Sequence, residues 1–380
     1  MNYADKDMTI NIKISVVMVC LLSLLAACKG RETDTTHSDG KQLTSSAGLL
    51  RISDNDGYYM VRITDPWDTT KILHSYQLVP RGEDVPRVAG STKVEIPLQR
   101  TLVYSAVYTG VIDELGCADA ITSVADAMYI NNEAVKRGLA EGRITDVGST
   151  MSPVVEKVVA SKPDAILASP FQNAGYGAVG QLDIPIIEMA DYMETTPLGR
   201  AEWIKLIGLL YGRYNEADSI YNGVTRAYHN LTKKVAHTSV RPKVLTETMI
   251  NGVWNVPGGR SYKARMLQDA GATYPWADDT SAGSLDLDFS RVFDKAADAD
   301  VWIATSYGYP MTRSTLSADY RPNERIKAFK TGNIYTCDTS VTPLFDEFPF
   351  HPERLLNDYV IILHPETAEG MTLHYFHKME

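Results

Sequence analysis

Short strand-like runs that do not alternate polar with apolar residues recur along this 380-residue chain, each separated from the next by a helical pattern. A strand that is apolar along its whole length is buried on both faces, which calls for a parallel sheet covered by helices. Residues 101–105, 120–124, 164–168 and 184–189 read as four such strands. A helical pattern ends near Leu115-Gly116, and another covers 154–161, with Pro163 opening the next strand. The order then repeats: strands at 243–247 and 300–304 enclose helical stretches at 262–270, closed by Gly271, and 290–297. Setting Asp164 against Asp300 also pairs Ser169 with Thr305 and Phe171 with Tyr307. Two α/β lobes follow.

Residues 200–212 and 215–236 are helical, and Thr196-Pro197 offers a cap and a first-turn proline. A helix over 215–236 would reach about 33 Å, enough to cross between lobes as a stiff link. The expected fold is therefore α/β, with two Rossmann-like lobes built on parallel sheets and joined by a long rigid helix. Ahead of them, Asn55-Asp56-Gly57 separates two alternating runs, a strong hairpin signal. Further strands at 71–79 and 93–97 extend this N-terminal β-hairpin preface. The expected divisions are an antiparallel extension at 49–98, a first lobe at 99–196, linking helices at 197–238 and a second lobe at 239–380, with 371–380 a short tail.

Residues 14–27 carry no charge, with Lys13 before them and Cys28 after. The run of 14 residues falls short of the roughly 20 a bilayer span needs, so it reads as a signal-peptide core at 1–27. Leu25-Ala26-Ala27-Cys28 resembles a bacterial lipobox, in which the Cys thiol accepts lipid; the alternative is an ordinary signal peptide that happens to hold a cysteine. Residues 28–48 then form a polar tether, and the body is a periplasmic lipoprotein held to inner or outer membrane through Cys28. Only Cys117 and Cys337 remain beyond it, far apart, and both read as buried small apolar residues. The net charge of −10 argues against nucleic acid as a partner. A soluble monomer is expected.

Four stretches carry a family resemblance: Tyr104-Ser105 leading into Glu114-Leu115-Gly116, Pro153-Val154-Val155-Glu156 leading into Lys162-Pro163-Asp164, residues 190–203, and residues 351–359 from His351-Pro352-Glu353 to Tyr359. They resemble periplasmic substrate-binding lipoproteins of the ferric-siderophore and vitamin B12 importer family, the third in particular its Bacteroidetes branch. The resemblance implies an ABC permease and ATPase as partners. It also implies a metal chelate, ferric siderophore or corrinoid, as ligand, with no cofactor and no catalysis. One glutamate on each lobe would dock onto permease arginines. Glu156 stands at the matching place, whereas Ser290 replaces the second glutamate and leaves Asp288 or Asp286 to substitute. Acids near a helix start also simply complement its dipole.

In such folds the ligand meets loops at the carboxyl ends of parallel strands. Those loops hold Tyr104, Ser105 and Tyr108, then Asp126 and Tyr129, then Phe171 and Tyr176, then Tyr192, Met193 and Glu194. In the other lobe they hold Trp254, Gly258, Gly259, Arg260, Tyr262, Tyr307 and Tyr309. Each aromatic residue reads equally as a core side chain at a strand end. Tyr outnumbers Phe 21 to 8, which suits contact with a large amphipathic ligand. Arg200 and Arg260 suit an anionic chelate and tip the balance slightly to a ferric siderophore. Trp254 and the tyrosines suit a corrin as well. Residues 254–261 lack the spacing and lysine of a nucleotide loop, so their glycines read as room for a bulky ligand. A free-metal binder would need histidines in both lobes, and none lies between His74 and His229. Haem held by one Tyr or His stays open. A chelatase-type enzyme on the same scaffold finds no G-x-S-x-G, H-E-x-x-H or C-x-x-C to support it.

Overall fold

Gly57 turns the chain at the expected hairpin with φ of 83°, a conformation that a side chain would oppose. In the computed structural model, which describes residues 40–380, this hairpin pairs Leu50–Asn55 with Tyr58–Thr64. The signal peptide and the lipidation reading at Cys28 lie outside the described residues. The hairpin belongs to a five-stranded sheet that also holds Lys41–Gln42, Ile72–Pro80 and Thr92–Ile96.

Two expectations change here. The sheet is mixed, because Thr92–Ile96 runs parallel to Ile72–Pro80. Buried Gln77 folds the connection back over the sheet: its amide donates to Pro86 O and accepts from Val88 N, both at 2.9 Å. The stretch read as tether is structured from Lys41 onward. Ser46 and Ala47 N–H donate to Glu202 at 2.7 and 2.8 Å, and Gly48 and Leu49 N–H to Glu194 at 2.9 Å.

The first lobe is a five-stranded parallel sheet in the order Ile186–Glu188, Ala165–Ala168, Thr101–Val103, Ile121–Val124, Thr145–Asp146. Helices Ala106–Glu114 and Val155–Ser161 pack on it. In the second lobe Val244–Thr246, Val301–Ser306 and Ile334–Asp338 run parallel. Residues 371–380 are more than a tail, since His377–Lys378 adds an antiparallel edge strand. Asp358, fully buried, fixes that return by accepting from the N–H groups of His374, Tyr375 and Phe376 at 2.7 to 3.0 Å. A small antiparallel sheet of Met249–Ile250, Val253–Pro257 and Ser284–Leu287, unforeseen in the sequence, sits beside it.

Helices Pro197–Ala201, Ile204–Leu210 and Tyr214–Val235 connect the lobes. The last has 22 residues and buries Tyr221 and Val224 in the first lobe's core but Tyr228 and Val235 in the second's. One rigid element thus belongs to both cores. Thr196 Oγ1 caps the first of these helices by accepting from Gly199 N at 3.1 Å. Replacing Thr196 with Ala is expected to cost about 1 kcal/mol in urea unfolding. Cys337 is buried, Cys117 is half-buried, and both thiols are free. No described helix is long and apolar enough to cross a membrane.

Candidate functional site

Parallel strands deliver their carboxyl ends to one side of each lobe, and the residues just beyond them line two neighbouring cavities. The first, of about 790 Å³, is walled by Tyr104, Ser105, Met151, Ser169, Phe171 and Tyr176. Tyr104 is only 8% exposed, and its buried hydroxyl has no partner in the protein. Such an unpaired group is costly, and it lies behind the wall and not on the cavity surface. Burial pushes its pKa up, so it stays a neutral donor. Tyr176 packs its ring 6.4 Å from that of Tyr104 and donates its hydroxyl to Glu188 at 2.7 Å.

The second cavity, of about 500 Å³, takes Tyr192 and Arg200 from the first half and Glu247, Tyr262, Lys263 and Thr305 from the second lobe. Phe171 on one wall lies 6.4 Å, ring to ring, from Tyr192 on the other, so the cavities adjoin. Arg200 is buried, pairs with Asp191 at 3.0 Å and lies over the Tyr262 ring at 4.8 Å. Glu247 sits just past its strand with φ of 61°. Its carboxylate accepts from Thr305 Oγ1 at 3.0 Å and faces Lys263 Nζ at 3.5 Å. Burial would push Lys263 down, but Glu247 and Tyr262 outweigh it and hold its pKa above the usual lysine value. Both cations are therefore neutralised in place.

The structure gathers Tyr104, Ser105 and Phe171 on the first cavity, and Tyr192, Arg200 and Tyr262 on the second. Tyr307 and Tyr309 are exposed, and Tyr307 meets Tyr129 of the other lobe edge-on at 6.3 Å. Five candidates are corrected. Tyr108 is buried and donates to Asp191 at 2.8 Å, a strut beneath the site. Trp254 is wholly buried, stacks on Trp302 at 5.6 Å and donates to Thr246 O, so it is core. Glu194 is occupied by Gly48, Leu49 and Trp203 Nε1. Asp126 ties its loop to that of Thr150, accepting from Thr150 N and Oγ1 at 3.1 and 2.7 Å. Arg260 is exposed and lines neither cavity.

Gly258 and Gly259 do make room, but for the chain itself. A Cβ at either would strike carbonyl oxygens of residues 276–283. Of the docking candidates, Glu156 is exposed in the first turn of its helix. Asp288 caps Phe289–Ala296 by accepting from Arg291 N at 3.0 Å. Asp286 is exposed in the strand Ser284–Leu287, opposite Asn255. Among the described residues no group of His, Cys, Asp and Glu is arranged to hold a metal ion. Glu247 and Lys263 were overlooked by a reading that favoured aromatic residues, although Glu247 stands at a strand end just as Tyr104 does.

The Periplasmic binding protein family matches residues 102–341. An uncharacterized lipoprotein of Methanocaldococcus jannaschii is 28% identical over 296 residues, covering 75% of this chain and 70% of the relative. A periplasmic heme binding protein from Pseudomonas aeruginosa has a similar fold, with TM-score 0.59 at 14% identity over 74% of this chain and 98% of its own. A protein of an ABC-type Fe3+-hydroxamate transport system from Saccharomonospora viridis aligns with TM-score 0.53 at 16% identity, over 69% of this chain and 93% of its own.

Proposed function

The chain belongs to the periplasmic binding protein family, and from that premise we propose that it is the substrate-binding component of an ABC importer. In this reading it captures one metal chelate between its lobes and delivers it to a membrane permease. The observation that carries the reading is the pair of adjoining cavities at the strand ends, walled in part by Tyr104, Phe171 and Tyr192. A flat, partly apolar ligand with a few acceptors would fill such walls.

Charge narrows the class. Arg200 is matched by Asp191 and Lys263 by Glu247, so a polyanion finds no free cation on these walls. The slight preference for an anionic siderophore rested on Arg200 and Arg260, and neither now supports it. A chelate of low net charge, a ferric hydroxamate or a corrinoid, fits better than haem with its two propionates. The shared core helix would keep lobe closure small, Glu156 and Asp288 would face the permease, and lipid on Cys28 would hold the body nearby. The relative's description as a lipoprotein supports that anchor.

The test is a titration of the purified residue 29–380 body, followed by Trp fluorescence and corrected for ligand absorbance. A ferric hydroxamate, cyanocobalamin and haem are added separately. One of the first two is expected to saturate at micromolar affinity or tighter. Silence from all three with a folded protein would overturn the metal-chelate reading.

A further inference from the structure

Resting on that reading of the cavity, we infer that His74, in the N-terminal sheet, is a positioning residue that fixes Tyr176 in the cavity wall through Glu188. The sheet of residues 41–96 lies wholly before the family match, which begins at 102. It nevertheless reaches the candidate site by two contacts.

The first contact covers an edge. Ile186–Glu188 is the outermost strand of the first lobe's sheet, with backbone groups that no neighbouring strand takes. Tyr76, itself buried, supplies both partners: its hydroxyl donates to Ile186 O at 2.9 Å and accepts from Glu188 N at 3.0 Å. One phenol thus closes the edge.

The second contact reaches the cavity. Glu188 is 8% exposed; one carboxylate oxygen pairs with His74 Nε2 and the other accepts from Tyr176 at 2.7 Å. The His74 ring also lies 5.8 Å from that of Tyr76. Burial would push Glu188 up, but the bonds from His74 and Tyr176 outweigh it and keep the carboxyl below its usual value. An ionised carboxylate only accepts, so it demands the Tyr176 proton.

Tyr176 needs that hold. Residues 171–178 are exposed except for Tyr176 itself, and Asn173 and Gly177 have φ of 58° and 53°. The ring rests against the small core cluster that holds Tyr104 and Val179, and its polar end is set by the bond to Glu188 and a long approach to Ser169 O at 3.5 Å. On the far side of the same segment a second hollow of about 480 Å³, bounded by His74 and Glu188, leaves room for the ring to move. An extension outside the family's common core thereby sets the shape of the ligand wall.

The test uses the full-length protein in mild detergent, with 3-fluorotyrosine placed at position 176 alone. Its fluorine resonance is expected to shift in His74→Ala and to return in His74→Gln, whose amide donates to the same carboxylate. His74 is 44% exposed at its side chain, so the melting temperature should hold in both variants. In parallel, ferric hydroxamate and cyanocobalamin are titrated into His74→Ala, His74→Gln and Tyr176→Phe without label. The affinity of whichever probe binds is expected to fall about tenfold in His74→Ala and Tyr176→Phe, and to recover in His74→Gln. A resonance unmoved by His74→Ala, or an affinity unchanged while it moves, overturns the proposal. If neither probe binds the wild-type protein, the importer reading loses its ligand class, and the fluorine result alone decides the role of His74.

Discussion

Glu202→Ala is expected to lower the free energy of unfolding by about 3–5 kcal/mol, the range for breaking a buried ion pair from one side. Glu202 is wholly buried, and its carboxylate accepts from the N–H groups of Ser45, Ser46 and Ala47 at 2.7 to 3.0 Å. It also pairs with Lys205 at 3.2 Å, itself only 7% exposed. The ammonium turns in addition to Asp218 at 3.1 Å and Leu43 O at 3.0 Å. Removing the carboxylate therefore orphans three backbone donors and strips one counter-charge from a buried cation. Glu202→Gln keeps the acceptor but not the charge, and should recover part of the loss. Urea unfolding reads both, and amide exchange at Ser46 and Ala47 should quicken in step. A loss no larger than about 0.5 kcal/mol, ordinary for a surface substitution, would show that this clasp contributes little.

That clasp also marks where the sequence stops being legible. Residues 41–48 are polar and without period, and the carboxylates that fix them stand 145 to 157 positions away. No local pattern announces such a bond. The parallel strands were legible because burial on both faces leaves uninterrupted apolar runs, and the link because Thr196-Pro197 is a local signal. Strand ends, and hence Tyr104 and Phe171, followed from the same logic. Which aromatic residue faces the cavity did not follow, because a phenol in a wall and a phenol in a core are the same chemistry. Tyr108 lies four positions beyond Tyr104, on the buried face of the helix Ala106–Glu114. For Trp254 a signal did exist. In Val253–Pro257 the exposed residues Val253 and Asn255 alternate with buried Trp254 and Val256, so a strand reading would have turned that indole inward. The glycines at 258 and 259 were rightly read as sites of close approach, with the wrong visitor.

The tie between the lobes should weaken as pH rises. His351 stands just before helix Pro352–Leu363 of the second lobe, with its side chain 8% exposed. Its Nε2 meets Glu114 Oε2, at the end of a first-lobe helix, at 2.8 Å, and its Nδ1 meets Glu353 Oε1 at 3.1 Å. Burial alone would push the imidazole down, but the two carboxylates outweigh it and raise its pKa from 6.5 to about 9. A pKa raised on folding stabilises fully below the unfolded value and loses that contribution as pH climbs through the folded one. A rise of this size corresponds to about 3 kcal/mol, present below pH 6.5 and gone beyond pH 9. Glu114 runs the other way. Burial pushes it up, yet His351 and Arg354 hold it below 4.5, so its share is present above that pH and fades on acidification. The bridge is accordingly strongest between about pH 4.5 and 6.5. Nearby, Arg354 is turned to Glu347 at 2.7 Å and retains its charge throughout this window. Urea unfolding at pH 6 and at pH 10 should show the wild-type protein losing more stability than His351→Gln, whose amide does not titrate. Equal losses in the two proteins would mean that other groups carry the alkaline sensitivity and that this histidine does not hold the lobes together by charge.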